Sequence, residues 1–172
     1  LREMGVRKPV LVLGYTPHVR LAEAVENALR LVVYDVATIK ALDRVARLRG
    51  KKVRVHVKVE TGTHRQGVES DALEAVFGAI QESAAVEPEG LYPHFANIED
   101  TARHDYARGQ IEQFARMVAA AEQTGLRFEK LHSACSAAAL LFPRTYGNMV
   151  RVGIGQYGLW PSRQTFLSYR LP

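Results

Sequence analysis

The sequence contains one cysteine and no long apolar run, and both shortages exclude classes of protein. Because Cys135 is alone, no disulfide can form within the chain, and a reducing compartment is expected. No apolar run approaches the roughly 18 residues that a membrane-spanning helix needs. We therefore expect a cytoplasmic protein that does not enter a membrane.

The chain also lacks the concentrated basic and aromatic surface that is typical of nucleic-acid-binding proteins. Its net charge is +5, but the densest basic cluster, Arg47–Arg54, contains no aromatic residue. We therefore expect no nucleic-acid partner, and we assign no residue to a metal ion. With 172 residues, 47% of them hydrophobic, the chain is long enough for one well-cored domain and too short for two large ones.

Apolar, β-branched segments alternate with amphipathic helical patterns along the sequence. The six predicted strands cover Pro9–Gly14, Leu31–Tyr34, Val53–Glu60, Gly90–Tyr92, Phe128–Leu131 and Val150–Gly155. Helical spacing of apolar residues marks 21–29, 39–46, 72–81, 111–121 and 136–141. This alternation predicts a parallel α/β sheet. A complete eight-stranded barrel needs about 250 residues, so we expect a partial (β/α)8 TIM barrel with about six of its eight βα units.

Two segments late in the chain predict an anion-binding site. His132–Ser136 and Met149–Leu159 each begin with strand-like residues and then break into small residues and glycines. Small residues let an anion approach the main chain closely, and α/β barrels commonly bind a phosphate near their last two strands. A Gly-x-Gly sequence alone is more often an ordinary turn, so the argument depends on the two segments together.

Five segments, in order and at compatible spacing, carry motifs of one family. Pro9–Pro17 is similar to Leu-Val-Leu-Gly-Tyr-Thr-Pro, Val53–Gly67 to Val-His-Leu-Lys-x-Asp-Thr-Gly-x-x-Arg-x-Gly, His94–Asn97 to His-Phe-Ala, His132–Ala137 to His-x-x-Asn-Ser-Ala, and Val150–Ser162 to Val-Arg-x-Gly-x-x-x-Tyr-Gly-x-x-Pro-Ser. Together they resemble the alanine racemases. The resemblance implies an incomplete TIM-barrel domain that binds pyridoxal 5'-phosphate in residues 1–159. Residues 160–172 would lead toward a C-terminal β domain.

The resemblance also implies which residues contact the cofactor. Arg151 would hydrogen-bond the pyridine nitrogen, and since a guanidinium does not give up its proton, that nitrogen would stay unprotonated. Ser136, Gly153 and Ile154 would bind the phosphate. His132 would steady Arg151, and His94 would lie close to the cofactor ring. The residues alone leave other interpretations open. Arg151 could cap a strand end or pair with a carboxylate, His132 could be a hydrogen-bonded core histidine, and His94 could be a strand-end histidine hydrogen-bonded to water.

Lys58 and Arg65 match a second pair of family positions, seven residues apart. The resemblance implies that the lysine, often carbamylated, positions the arginine, which orients the substrate carboxylate. A bidentate arginine suits a planar carboxylate. The alternative for Lys58 is a strand lysine that extends its amine to solvent.

The sequence departs from the family pattern in four respects. Cys135 replaces an asparagine near the predicted phosphate site, and we interpret it as a small buried residue in preference to a nucleophile paired with His132. Glu60 replaces an aspartate. No segment resembles the strand that carries the cofactor-linked lysine. Tyr157 and Tyr169 do not match the catalytic tyrosine, which the family supplies from the C-terminal domain across a dimer.

The resemblance predicts that the parent protein is a homodimeric racemase that interconverts L- and D-alanine by two-base proton transfer. The 172 residues alone are expected to be inactive and, with unpaired strand edges, unstable. The alternatives are a racemase of serine or of many amino acids, a non-catalytic barrel that binds pyridoxal phosphate, and an interaction domain that retains only the fold.

Overall fold

Five parallel strands form one sheet in the computed structural model, which describes residues 1–100 and 103–169. They are β1 (Leu11–Val12), β2 (Arg30–Val33), β3 (Val53–Val59), β4 (Val86–Pro93) and β5 (Lys130–Leu131). Each strand pairs with the next one along the chain. Parallel strands in chain order, joined by helices, form the wall of an α/β barrel. The predicted partial barrel is therefore confirmed.

Helices follow the strands on the outer side of this wall. They are α1 (Leu21–Glu26), α2 (Val36–Leu48), α3 (Leu73–Gln81), α4 (Asp105–Gln123), α5 (Ser136–Leu141) and α6 (Arg163–Ser168). The start of α2 illustrates how the sequence fixes these bounds, since the carboxylate of Asp35 accepts the backbone N–H of Thr38 at 2.7 Å. None of the helices described in residues 1–100 and 103–169 combines the length and apolar character of a membrane span.

The sheet is buried on both faces, which explains the valine-rich sequence of β3. Val55 and Val57 are fully buried against helix residues such as Leu42 and Phe77. Because side chains alternate across a strand, His56 and Lys58 lie on the other face, toward the barrel interior. Both are almost completely buried, so polar groups inside the barrel must find partners there.

The prediction of a sixth strand over Val150–Gly155 is wrong. This segment adds no strand to the sheet, and Ile154–Tyr157 form a 3₁₀ turn instead. Its backbone N–H groups are used elsewhere: Arg151 N donates to Ala134 O at 3.0 Å, and the next glycines donate to a serine side chain. The apolar residues of this segment resemble those of a strand, but its backbone does not pair with the sheet. Positions 170–172 of the predicted exit segment lie outside the described residues.

Candidate functional site

A cavity of about 740 Å³ opens at the carboxyl ends of the strands. In α/β barrels this is the end at which ligands bind. Eight of the nine predicted site residues line it: Lys58, Arg65, His94, Cys135, Ser136, Arg151, Gly153 and Ile154. The fold therefore brings together residues that are up to about 96 positions apart in the sequence, from Lys58 to Ile154.

A small-residue cluster, consisting of Ser136, Gly153 and Gly155, forms one side of the cavity. The Ser136 hydroxyl oxygen accepts the backbone N–H groups of Gly153 and Gly155, both at 3.2 Å. No atom lies within 4 Å of the place where a Cβ on Gly153 would be. The main chain is therefore open to a ligand there, and its N–H groups point toward the serine. Gly155 was not singled out from the sequence, although it completes the Gly-Ile-Gly segment. Ile154 lines the cavity beside it.

Arg151 lines the cavity with a guanidinium group that is fixed by acceptors behind it. One terminal nitrogen donates to His132, at the ring Nδ1 at 2.9 Å and at the carbonyl oxygen. The other donates to the carbonyl oxygens of Pro93 at 2.9 Å and Ser133 at 3.3 Å. These contacts use four of the five N–H donors of the group. Among the described residues no acceptor is found for the remaining donor, Nε–H.

His132 does not line the cavity; it is fully buried behind Arg151. Its ring stacks on Tyr92 with centroids 4.5 Å apart, and the Arg151 guanidinium lies 4.7 Å from the centroid of the same tyrosine ring. Burial, together with the charge of Arg151, lowers the pKa of His132 to about 2. The imidazole is therefore neutral next to the arginine. Tyr92, which also lines the cavity, was missed because nothing in its local sequence marks it.

Lys58 and Arg65 also line the cavity, as neighbours of like charge. The Lys58 amine is buried and donates to Gln66 Oε1 at 3.2 Å. Burial, followed by the charge of Arg65, lowers the pKa of Lys58. His94 contributes a further neutral group, because burial and the charge of Arg151 lower its pKa to about 4. Arg65 itself is exposed and has room to reach into the cavity.

Glu60 organises the loop that carries Arg65. Its buried carboxylate accepts the backbone N–H groups of Thr61, Gly62 and Thr63 at 2.6 to 2.9 Å, and that of Arg65 at 3.4 Å. Burial raises the pKa of the Glu60 carboxyl, but these hydrogen bonds outweigh burial, and the net shift is downward. The carboxylate therefore stays ionised and defines the loop conformation.

The charges in the cavity favour an anion. Lys58, Arg65 and Arg151 contribute positive charge, whereas Glu99 is the one acidic residue among the described residues that line it. The donor groups are a serine hydroxyl, backbone N–H groups and guanidinium groups. Such a site can bind a phosphate at one end, a ring acceptor at Arg151 and a carboxylate near Arg65.

The sequence of the chain matches one known protein family. The model of the alanine racemase N-terminal domain matches residues 1–161. The chain belongs to this family. Alanine racemases are isomerases that depend on pyridoxal 5'-phosphate. This match confirms the family that the five sequence motifs indicated.

Individual alanine racemases agree with the assignment. Alanine racemase 1 of Oceanobacillus iheyensis is 36% identical over 163 residues, covering 95% of this chain and 43% of its own length. The Desulfovibrio desulfuricans enzyme is 39% identical, with 94% and 43% coverage. The structure of Clostridium difficile alanine racemase in complex with cycloserine superposes with a TM-score of 0.91 at 29% identity, covering 96% of this chain and 45% of that one. The chain thus spans less than half the length of the relatives it matches.

Proposed function

We propose that the protein containing this chain is an alanine racemase that interconverts L- and D-alanine with pyridoxal 5'-phosphate. Residues 1–159 form the cofactor-binding part of the barrel, and residues 160–172 lead toward a C-terminal β domain. The observation that carries the proposal is the convergence of the small-residue cluster and Arg151 on one cavity.

The residues present fit this cofactor. The cavity of about 740 Å³ is of the size that small-molecule sites usually have. The small-residue cluster offers a hydroxyl and exposed main chain to a phosphate. Arg151 offers to an aromatic nitrogen its Nε–H, for which the described residues provide no acceptor, and Ile154, His94 and Cys135 also line the cavity.

The main contribution of the chain to catalysis is positioning. When bound, pyridoxal phosphate makes the α-proton of an amino acid acidic by withdrawing electrons. Arg151 cannot transfer a proton to the pyridine nitrogen, so it restrains this withdrawal and favours return of the proton over side reactions. Arg65 orients the substrate carboxylate, and Lys58 supports Arg65 from the barrel interior.

The groups that move the α-proton lie outside the family motifs of this chain. In the family they are the cofactor-linked lysine and a tyrosine of the C-terminal domain, acting from opposite faces of the substrate. We therefore propose that the 172 residues alone are inactive. We also propose that the full-length protein works as a homodimer in the cytoplasm, since one cysteine among these 172 residues is typical of a reducing compartment.

The test uses the full-length gene product with pyridoxal phosphate and L-alanine. The proposal predicts the absorbance of lysine-bound cofactor together with loss of optical rotation. A cofactor band without racemisation of any amino acid would select a non-catalytic binding protein. Faster racemisation of serine than of alanine would select the serine racemase, and absence of any cofactor band would leave an interaction domain.

A further inference from the structure

A hydrogen-bond series crosses the barrel interior and ends at Arg151. We call Glu89, His56, His132 and Arg151 the interior series. Glu89 Oε2 lies 3.2 Å from His56 Nε2, His56 Nδ1 lies 2.7 Å from His132 Nε2, and His132 Nδ1 lies 2.9 Å from an Arg151 terminal nitrogen. Both histidines and Glu89 are buried. The motifs of the family resemblance did not assign a role to His56 or Glu89.

The chemistry of the groups allows one proton arrangement along the series. A guanidinium only donates, so His132 Nδ1 must accept and its proton must be on Nε2. That Nε2–H donates to His56 Nδ1, which places the His56 proton on Nε2, where it faces the Glu89 carboxylate. Burial is the main reason that the pKa values of both histidines are lowered, so neither ring carries a second proton. The acceptor at one end and the donor at the other end therefore determine both tautomers.

The far end of the series is anchored by charge. Glu89 Oε2 accepts a hydrogen bond from Arg30 Nε at 2.7 Å, and its Oε1 accepts one from an Arg54 terminal nitrogen at 3.1 Å. Burial raises the pKa of the Glu89 carboxyl, but the hydrogen bonds from Arg30, His56 and Arg54 outweigh it and the net shift is downward. Glu89 is therefore a carboxylate, which can only accept.

The backbone is shaped to admit this series. In the pairing of β3 with β4, Val55 lies opposite Pro88 and His56 opposite Gly90, so Glu89 is an extra residue in a β-bulge. A bulge re-aims a side chain that regular alternation would direct elsewhere. At Gly90, a Cβ would lie 2.2 Å from His56 Nδ1. Glycine is thus required for the imidazole to lie across β4.

We propose that His56 and Glu89 are positioning residues for Arg151, because they fix the tautomer in which His132 Nδ1 accepts a hydrogen bond from the guanidinium group. The inference rests on the proposed function in so far as Arg151 contacts the cofactor. If His132 carried its proton on Nδ1, two N–H groups would face each other and the guanidinium would leave its present site. Through these hydrogen bonds, the fixed Glu89 carboxylate determines where the Arg151 guanidinium lies in the cavity.

Two pairs of substitutions separate this role from simple core packing. His56→Asn retains an acceptor oxygen close to the present Nδ1, whereas His56→Phe removes it. Glu89→Gln retains an acceptor for His56 Nε2–H, whereas Glu89→Leu removes it. The matched control is Glu87→Gln on the same strand, since Glu87 pairs with Lys52 and Arg54 and does not contact either histidine.

The measurement is nitrogen-15 NMR of the histidine rings and of Arg151 Nε in the full-length protein without cofactor, between pH 6 and 8. We expect neutral Nε2–H tautomers for His56 and His132 in the unsubstituted protein and in the Glu87→Gln and Glu89→Gln variants, and for His132 in His56→Asn. His56→Phe and Glu89→Leu should move the His132 and Arg151 signals. In the loaded enzyme, these two variants should lower kcat about tenfold, with little change in KM, because a buried donor loses its acceptor.

Two results would overturn the inference. One is an Nδ1–H tautomer or an imidazolium at either histidine in the unsubstituted protein, a measurement that needs no variant to fold. The other is a set of His132 and Arg151 signals unchanged by His56→Phe and Glu89→Leu. Because the spectra are recorded without cofactor, a protein that fails to bind pyridoxal phosphate would contradict the proposed function and leave this test decisive.

Discussion

The backbone nitrogen of Gly153 lies 3.2 Å from the hydroxyl oxygen of Ser136, 17 residues earlier in the sequence. This contact joins the start of α5 to the turn that follows Arg151. The contact therefore fixes the distance between the two segments that were predicted to bind a phosphate. In the proposed function, the same hydroxyl contacts the cofactor phosphate.

Replacing Ser136 by alanine should weaken cofactor binding. The variant loses a hydroxyl that contacts an anion, and such hydrogen bonds are among the stronger ones, so the Kd for pyridoxal phosphate should rise about tenfold or more. Fluorescence or absorbance titration of the full-length protein measures the constant. Ser83→Ala is the control, because that hydroxyl donates to Ala79 O at the far end of α3. Equal constants for the two variants would remove Ser136 from the phosphate site.

Replacing Arg151 by lysine should damage the site although the charge is kept. An ammonium group cannot reproduce the four contacts that the guanidinium makes to His132, Pro93 and Ser133. We expect racemase activity to fall at least about a hundredfold, as is typical when a positioned polar group is lost from an active site. Arg144→Lys, at an exposed position, should leave activity unchanged. Full activity in Arg151→Lys would contradict the role of the planar group.

Replacing Glu60 by glutamine should loosen the loop that carries Arg65. One carboxylate oxygen becomes an N–H₂ group, and either orientation of the amide leaves a backbone donor facing it, because Oε1 accepts Thr61, Gly62 and Thr63 and Oε2 accepts Arg65. Amide hydrogen exchange over residues 61–65 should accelerate about tenfold or more, and KM for alanine should rise more than kcat falls. Glu69→Gln, an exposed substitution near the end of the same loop, serves as the control. Unchanged exchange in Glu60→Gln would show that other contacts hold the loop.

Stability should decrease as the pH falls below about 6.5, the ordinary pKa of histidine. The folded-state pKa values of His56, His94 and His132 are lowered, to about 4 for His94 and about 2 for His132. Between these values and 6.5 the unfolded chain binds more protons, so the free energy of unfolding rises with pH. In that pH range, each histidine that is neutral in the folded protein and protonated in the unfolded chain contributes a slope of about 1.4 kcal/mol per pH unit.

Urea denaturation of the full-length protein between pH 5 and 8 measures this slope. His94→Gln should reduce it by about one proton. His64→Asn serves as the control substitution, because His64 is exposed and asparagine tolerates its positive φ of 49°. A free energy of unfolding that is independent of pH below 6.5, or an unchanged slope in His94→Gln, would contradict the buried neutral state.

Part of the site could be predicted from the sequence because Lys58 and His94 stand at the carboxyl ends of β3 and β4. The family motif over Val53–Gly67 indicates a site residue at Lys58, and small residues after β5 predict an open main chain at Ser136. The interior series could not be predicted in this way. The position of Glu89 depends on a bulge, which appears only in the register of two strands.

The sixth predicted strand failed for a related reason. Val150 to Gly155 has the apolar and β-branched residues of a strand, but pairing also requires free backbone groups and a neighbouring strand edge. Here Ser136 and Ala134 take the N–H groups of Gly153, Gly155 and Arg151. A sequence pattern indicates which side chains are buried, but it does not indicate which acceptors bind the backbone N–H groups.

The most direct test is a crystal structure of the full-length protein grown with pyridoxal 5'-phosphate. The proposed function predicts the phosphate within hydrogen-bond distance of Ser136 Oγ and the Gly153 backbone nitrogen, and the pyridine nitrogen within the same distance of Arg151 Nε. A cofactor bound with its phosphate elsewhere, or with its ring nitrogen away from Arg151, would contradict it.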